Sequence, residues 1–188
     1  MASIAKRLSQ RLRGLARSED GTATIPVLIF VPFFLLFLLS SVEMGMLMIR
    51  HVLLERAVDL TVRDLRLGLW TPQNPANAGD ELRIRICNHV GLIPQCNKSL
   101  MVELRPVSKV TWEPLSSGPT CVDRSQPVYA NPLPDVGTSN EMMLIRACAK
   151  FDPVFPTTAM GATLPKDSTG AYALVSATVF VNEPRPGT

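Results

Sequence analysis

The hydrophobic pattern begins with a long apolar stretch near the N-terminus. Residues 25–39 read IPVLIFVPFFLLFLL without a polar side chain, and apolar residues continue past Ser40, Ser41 and Glu43 as far as Ile49. As a helix, the stretch 25–49 would span about 37 Å, whereas the hydrocarbon core of a bilayer is roughly 30 Å thick. The pattern therefore predicts one transmembrane helix.

The helical pattern continues beyond the apolar stretch. Leu54 and Val58 recur at helical spacing, and Gly68 and Pro72 supply stop signals. We therefore predict one helix from about 24 to 67, uniformly apolar in its first half and amphipathic in its second. The apolar stripe of the second half needs a cover, and the residues after 70 are the candidate.

The remainder of the chain predicts short, mixed elements. Asp80 can cap a short helix that continues to about Val90. Alternating or β-branched segments predict three strands, at 100–105, 144–151 and 171–181. Long loops between the strands favour an antiparallel sheet. The predicted fold class is α+β: a single long N-terminal transmembrane helix followed by a small domain with an antiparallel sheet.

The charge distribution separates a basic leader from a neutral remainder. The chain has 19 basic and 16 acidic residues, and residues 1–21 hold five of the basic and two of the acidic ones. A basic tail rather than a nucleic-acid-binding surface explains the net charge of +3, so no nucleic-acid partner is expected. The hydrophobic pattern divides the chain into a leader at 1–21, a transmembrane and stalk helix at 22–69, and an α+β domain at 70–188. The positive-inside rule predicts that the leader is cytoplasmic and that the domain lies on the opposite side of the membrane.

All four cysteines follow the apolar stretch: Cys87, Cys96, Cys121 and Cys148. An even number on the presumed outer side is typical of disulfides in an oxidising compartment. Three pairings are possible. We favour Cys87–Cys96 with Cys121–Cys148, because each bond would then tie a loop to a regular element, but the other pairings and free thiols stay open.

Motifs for catalysis and cofactor binding are missing from the sequence. It has no G-x-S-x-G, H-E-x-x-H or P-loop motif, no C-x-x-C pair, and only two histidines. We therefore expect no enzyme activity, no metal and no cofactor. A membrane-tethered hydrolase that uses loop carboxylates is an alternative, and it would need a deep pocket with acids of perturbed pKa.

Glu43 is the one ionisable residue within the apolar run. It could extend its carboxylate to the membrane surface, or it could bind a partner inside the membrane, such as the N-terminal amine of a neighbouring subunit. Gly45 lies close by, and small residues let helices approach each other in membranes. We predict that Glu43 and Gly45 are helix-packing residues.

The junction between leader and helix is a candidate processing site. The basic leader ends in Gly21, and Thr22 opens the sequence TATIP that leads into the apolar run. A membrane peptidase could remove the charged leader here, since glycine leaves the backbone accessible. Gly21 could equally be the flexible entry to a helix.

Residues 18–45, SEDGTATIPVLIFVPFFLLFLLSSVEMG, and the amphipathic continuation after them resemble the TadE/TadF-like family, the pilin-like minor components of bacterial Tad (tight adherence) pili. The resemblance implies a pilin-like fold and a single-pass minor pseudopilin of the inner membrane. Its partners would be the lipid bilayer, other pilins or pilus assembly platform proteins, and a prepilin peptidase that cuts between Gly21 and Thr22.

One position departs from the family pattern. Pilin-like proteins usually have Glu at the fifth position after the cut, and this chain has Pro26 there. A chain that is not cut would be an anchored assembly factor. The alternative function is a single-pass, signal-anchored envelope scaffold or binding module unrelated to pili.

Overall fold

The computed structural model describes residues 24–73, 77–91, 93–111, 118, 120–124 and 137–183. The elements in chain order are α1 (Thr24–Arg66), α2 (Ala78–His89), α3 (Cys96–Ser99), β1 (Leu100–Pro106), β2 (Met142–Phe151), α4 (Ala159–Thr163) and β3 (Tyr172–Val181). The coarse prediction of one long apolar helix followed by a small domain with an antiparallel sheet is confirmed.

Helix α1 is continuous over 43 residues, which corresponds to about 64 Å. Among the described residues it is the one helix that is long and apolar enough to cross a membrane, and no residue of its most apolar window is buried. A helix that is apolar all round yet uncovered is typical of a membrane span. This end of α1 is therefore a candidate membrane anchor.

The surroundings of α1 change at Glu43. None of residues 24–42 is buried, and that part of the helix is about 28 Å long, close to the thickness of a hydrocarbon core. From Glu43 onward one face of α1 is covered by the domain through Glu43, Arg50, Leu54, Ala57, Val58, Thr61, Val62 and Leu65. The predicted span at 25–49 extends past this point, because Met44, Met48 and Ile49 continue the exposed apolar surface on the side of α1 that the domain leaves uncovered.

The three strands form one antiparallel sheet in the order β1-β2-β3. Leu100 pairs with Ala149 at one end of β1, and Phe151 pairs with Tyr172 at the start of β3. The predicted strands are confirmed, with β2 beginning two residues earlier than expected. The central strand β2 is buried along most of its length, and the ring of Phe151 at its C-terminal end lies 5.1 Å from the Arg50 guanidinium of α1.

The core lies between one face of the sheet and the helices α1 and α2. Alternate residues of β1 such as Val102 and of β2 such as Ile145 pack in one cluster with Leu54 and Val58 of α1 and Ile86 of α2. The second half of α1 is therefore part of the domain core rather than a separate stalk, and its apolar stripe is covered as its amphipathic pattern predicts.

The start of α2 differs from the prediction. The helix begins at Ala78 with Asn77 at the N-cap, and Asp80 lies inside its first turn, where it forms an ion pair with Arg83 at 3.0 Å. The predicted capping role of Asp80 is wrong. An acidic residue in the first turn stabilises a helix through the helix dipole. An aspartate at the N-cap and one in the first turn therefore both indicate the start of a helix in the sequence.

Two short helices lie where the sequence predicts no regular element. Helix α3 has four residues and α4 has five, too few for a hydrophobic period to be visible. The start of α4 does carry a signal: Thr158 is its N-cap, and the Thr158 hydroxyl accepts a hydrogen bond from the Gly161 amide at 3.2 Å.

Candidate functional site

The residues predicted for processing and for helix packing lie in different surroundings. Gly21 and Thr22 are outside the described residues. Gly45 is exposed on α1, and a methyl group added to it would meet nothing within 4 Å. Glu43 is completely buried.

Glu43 is bound by a loop of its own chain. Its carboxylate accepts hydrogen bonds from the backbone amides of Val154 at 3.2 Å and Phe155 at 2.7 Å. The loop lies directly after β2, and Pro153 and Pro156 on either side of these amides have no N–H to donate. Neither interpretation of Glu43 from the sequence, exposure at the membrane surface or binding of a neighbouring subunit, includes this contact. It is charge-assisted and fixes the loop against the helix just beyond the candidate anchor.

Arg50 lies two helical turns beyond Glu43 on the same face of α1. Its guanidinium donates to the Tyr172 hydroxyl at 2.7 Å and to the Asp152 carbonyl at 3.2 Å. It also lies 5.1 Å from the centroid of the Phe151 ring, within range of a cation–π contact. Burial raises the pKa of the Tyr172 phenol, while the bond from Arg50 opposes the rise. Tyr172 is therefore neutral at physiological pH and acts as the acceptor for Arg50.

The pattern that identifies this junction is present in the sequence. Glu43, Arg50, Ala57 and Leu65 are separated by seven or eight residues and so share one helical face. Two charged residues on the face that also carries the core leucines indicate a polar contact within the protein. A hydropathy profile does not reveal this common face, because the first half of the helix is apolar on every side.

A second ion pair joins the 120–124 segment to the same junction. Arg124 contacts both carboxylate oxygens of Asp152, at 2.7 and 2.9 Å. The Arg124 guanidinium lowers the pKa of the Asp152 carboxyl below its ordinary value, and Asp152 raises the pKa of Arg124. Asp152 is therefore ionised at neutral pH, which does not suit a general acid.

The structure contains the pairing of cysteines favoured from the sequence. Cys87 bonds Cys96 with their Cα atoms 5.7 Å apart, and Cys121 bonds Cys148 with their Cα atoms 5.2 Å apart. Both separations are ordinary for disulfides. The first bond ties α2 to α3, and the second ties the 120–124 segment to β2, as an oxidising compartment would permit.

The outer face of α1 carries an apolar line that starts at the last residue of the free apolar stretch and continues along the domain. Val42, Gly45, Ile49 and Val52 follow one another at intervals of three, four and three residues, the spacing that forms a seam between helices. Val42 is 43% exposed, Ile49 is 48% exposed and Val52 is 59% exposed. We call this set the outer seam. It continues the free apolar surface of residues 24–42 along the domain, and its chemistry suits packing against another apolar helix.

The histidines belong to no potential metal site within the described part of the chain. His51 lies 3.3 Å from the Val175 carbonyl and 3.7 Å from Glu55. Across the described ranges there is no group of three or more side chains that could hold a metal ion. The candidate site therefore consists of the exposed outer seam and the buried junction at Glu43 and Arg50.

No family model, curated protein or solved structure matches this chain.

Proposed function

We propose that this protein is a pilus assembly component, a minor pseudopilin of a Tad-type pilus, that acts by helix packing and protein–protein contacts. In this proposal α1 crosses the bacterial inner membrane once, the N-terminus is cytoplasmic and the disulfide-bonded domain is periplasmic. The observation that carries the proposal is the outer seam, an exposed apolar line that runs from the candidate anchor along the domain.

The length of the exposed apolar surface supports packing with other helices. The surface from residue 24 to Val52 covers about 43 Å of helix, which is longer than a hydrocarbon core of roughly 30 Å. Lipid tails alone therefore leave part of the seam in contact with water. A neighbouring pilin helix or an assembly-platform helix would cover it, and that burial is favourable in proportion to the apolar area removed from water.

The position of the predicted processing site fits the same proposal. A cut between Gly21 and Thr22 would leave only two residues before the first described residue of α1, Thr24. The mature chain would then begin almost directly with an apolar helix. Mass spectrometry of the mature N-terminus tests this step: a chain that begins at Thr22 supports it, and a chain that retains Met1 contradicts it.

A substitution in the outer seam tests the function itself. Gly45→Leu adds a large side chain where the domain offers no clash, so the domain should keep its stability while pilus formation is lost. Gly91→Leu is the matched control, because Gly91 also has no neighbour within 4 Å but lies outside α1. Normal pili in a deletion strain, or in the Gly45→Leu strain, would contradict the proposal.

The second candidate is a signal-anchored envelope scaffold or binding module unrelated to pili. Pro26 favours it, because Pro26 occupies the position where pilin-like proteins usually have Glu, and because Glu43 is already bound by the chain's own loop. This candidate predicts an intact N-terminus and normal pili after deletion.

The proposed orientation has a separate test. Protease added to spheroplasts should digest the domain at 70–188 while the membrane is intact. A domain that becomes accessible only after the membrane is lysed would place it in the cytoplasm and contradict both candidates.

A further inference from the structure

A cavity lies beside α1 at the junction with the candidate anchor. Its volume is about 310 Å³, and its polar lining consists of Arg50, Gln95, Lys98, Ser99, Arg124 and Asp152. Elements that are distant in sequence build it: α1, α3 with the turn before it, the 120–124 segment and the end of β2. The Cys121–Cys148 bond and the pairing of Arg124 with Asp152 hold two of these walls together.

The lining carries more positive charge than its own carboxylate neutralises. Asp152 is the one carboxylate among the described lining residues, and both of its oxygens contact Arg124. Arg50 donates only to a neutral hydroxyl and a backbone carbonyl. Within the described ranges neither Arg50 nor Lys98 forms an ion pair with a carboxylate. The cavity therefore has a net charge of about +2 at neutral pH.

Arg50 also has an unused donor. Only 7% of Arg50 is exposed, and its Nε has no hydrogen-bond partner in the structure. The Nε atom is itself enclosed by the protein, so it is the positive charge of the guanidinium, which no carboxylate of the described residues pairs with, that favours an anionic ligand such as a phosphate. The cavity thus combines a buried, under-used guanidinium with a second cation, Lys98, at its wall.

The height of the cavity along α1 places it at the membrane surface. Arg50 lies seven residues beyond Glu43, about 10 Å along the axis, and helical side chains tilt toward the N-terminus, here toward the anchor. If residues 24–42 fill the hydrocarbon core, the headgroup layer occupies roughly the next 5–7 Å. The guanidinium of Arg50 is then within reach of the phosphate layer. Val154 of the loop bound to Glu43 belongs to the wall of the same cavity.

We propose that this cavity binds the phosphate of a phospholipid headgroup from the membrane leaflet next to the domain, with Arg50 and Lys98 as the residues that contact the phosphate. The volume accommodates a headgroup, and the acyl chains would stay alongside residues 24–42. The bound lipid fixes how deeply α1 sits in the membrane. This inference depends on α1 spanning a bilayer and is independent of the pilus proposal, so normal pili in a deletion strain would leave it intact.

Binding of a short-chain lipid to the full chain in a non-ionic, phosphate-free detergent tests the site. Dihexanoyl phosphatidylglycerol, kept below its own micelle concentration, should bind measurably by calorimetry, whereas dihexanoyl glycerol, which lacks the phosphate, should not. Lys98→Glu should weaken the affinity by tenfold or more, about the effect of losing one charge-assisted contact. Lys109→Glu makes the same charge change beyond the opposite end of β1 and should leave the affinity unchanged.

Arg50→Lys separates the shape of the guanidinium from its charge, because lysine keeps the charge but not the planar donor group. We expect it to weaken phosphatidylglycerol binding and also to lower Tm, since the contacts with the Tyr172 hydroxyl and the Asp152 carbonyl change as well. Should Arg50→Lys fail to fold, Lys98→Glu, at the exposed wall, still decides the question. Equal binding of the two lipids, or equal losses with Lys98→Glu and Lys109→Glu, would overturn the site. Inorganic phosphate that binds as tightly as phosphatidylglycerol would overturn the assignment to a lipid.

Discussion

The carboxylate of Glu43 accepts a 2.7 Å hydrogen bond from the amide of Phe155, which is 112 residues later in the chain. The contact closes the domain onto α1 at the point where the free apolar stretch of this helix ends. It also satisfies a buried charge that would otherwise be costly. The boundary between anchor and domain is therefore defined by a specific polar contact.

Removal of the Glu43 carboxylate should loosen this closure. Glu43→Ala leaves two amides without their acceptor, so we expect a loss of about 2–3 kcal/mol in the free energy of unfolding. Glu55→Ala removes a half-exposed carboxylate from the same helix and should cost less than about 0.5 kcal/mol. Chemical denaturation of both variants in detergent measures the difference. Equal losses would mean that the amides of the loop do not depend on Glu43.

The close approach of α4 to the same loop predicts a second sensitive position. A methyl group on Gly161 would overlap the backbone oxygen of Phe155, so Gly161→Ala should displace the loop that binds Glu43. We expect a cost of about 1–3 kcal/mol from this overpacking. Gly91→Ala meets no atom within 4 Å and serves as the control. A thermal unfolding midpoint unchanged by Gly161→Ala would contradict the geometry of this contact.

The two disulfides should differ in their contribution to stability. They close loops of 9 and 27 residues, and in the loop-entropy description the longer loop gives about 1 kcal/mol more stabilisation. Replacing both Cys121 and Cys148 by Ala should therefore lower stability more than replacing both Cys87 and Cys96. Denaturation of the two double variants under oxidising conditions compares them. The reverse order would show that loop entropy does not dominate here.

Acid should weaken the turn before β3. The Lys150 ammonium and the Thr169 hydroxyl hold the pKa of Asp167 far below its ordinary value of 3.8. Because the folded pKa is lower than the unfolded one, the stabilisation is complete above about pH 4 and is lost as the pH falls below it. Asp167→Asn should lower the unfolding midpoint at pH 5 and should reduce its further decline between pH 5 and pH 2.

Asp80→Asn is the control for this pH dependence, because Asp80 is exposed and forms one contact with Arg83. The unfolding midpoint of the Asp80→Asn variant should decline between pH 5 and pH 2 by the same amount as that of the native chain. If Asp167→Asn kept the full native decline, the turn would not be a source of the acid sensitivity.

The packing of α1 predicts which fragments fold. A fragment at 41–188 keeps the core residues Leu54, Val58 and Leu65 and should show cooperative unfolding, whereas a fragment at 70–188 lacks them and should not. The two fragments can be compared by circular dichroism after expression in the periplasm. A folded 70–188 fragment would show that the sheet and α2 are sufficient without the helix.

The sequence is sufficient to predict the elements whose periodic patterns are long. It predicts α1 at about 24 to 67, against the observed Thr24–Arg66, and it predicts β1 and β3 to within a residue at each end. The favoured cysteine pairing also corresponds to the observed bonds. Each of these depends on a local pattern or on which regular elements can be adjacent.

The polar junction could not be predicted in the same way. The partners of Glu43 are backbone amides, which every residue except proline carries, so no side-chain type indicates them. Arg50 meets Tyr172 only because β3 runs antiparallel beside β2, and the hydrophobic pattern of a strand does not specify which strands lie next to it. The cavity that Arg50 lines depends on both contacts and on a disulfide, so only the assembled fold reveals it.

The continuity of α1 has a mechanical consequence. Because α1 is one continuous helix from Thr24 to Arg66, any change in tilt that a bilayer of different thickness imposed on the candidate anchor would also turn the sheet that packs against the helix. The domain would then move as the free end of a lever whose fixed end is the candidate anchor. A small change in bilayer thickness would redirect the surface that the protein presents to its neighbours.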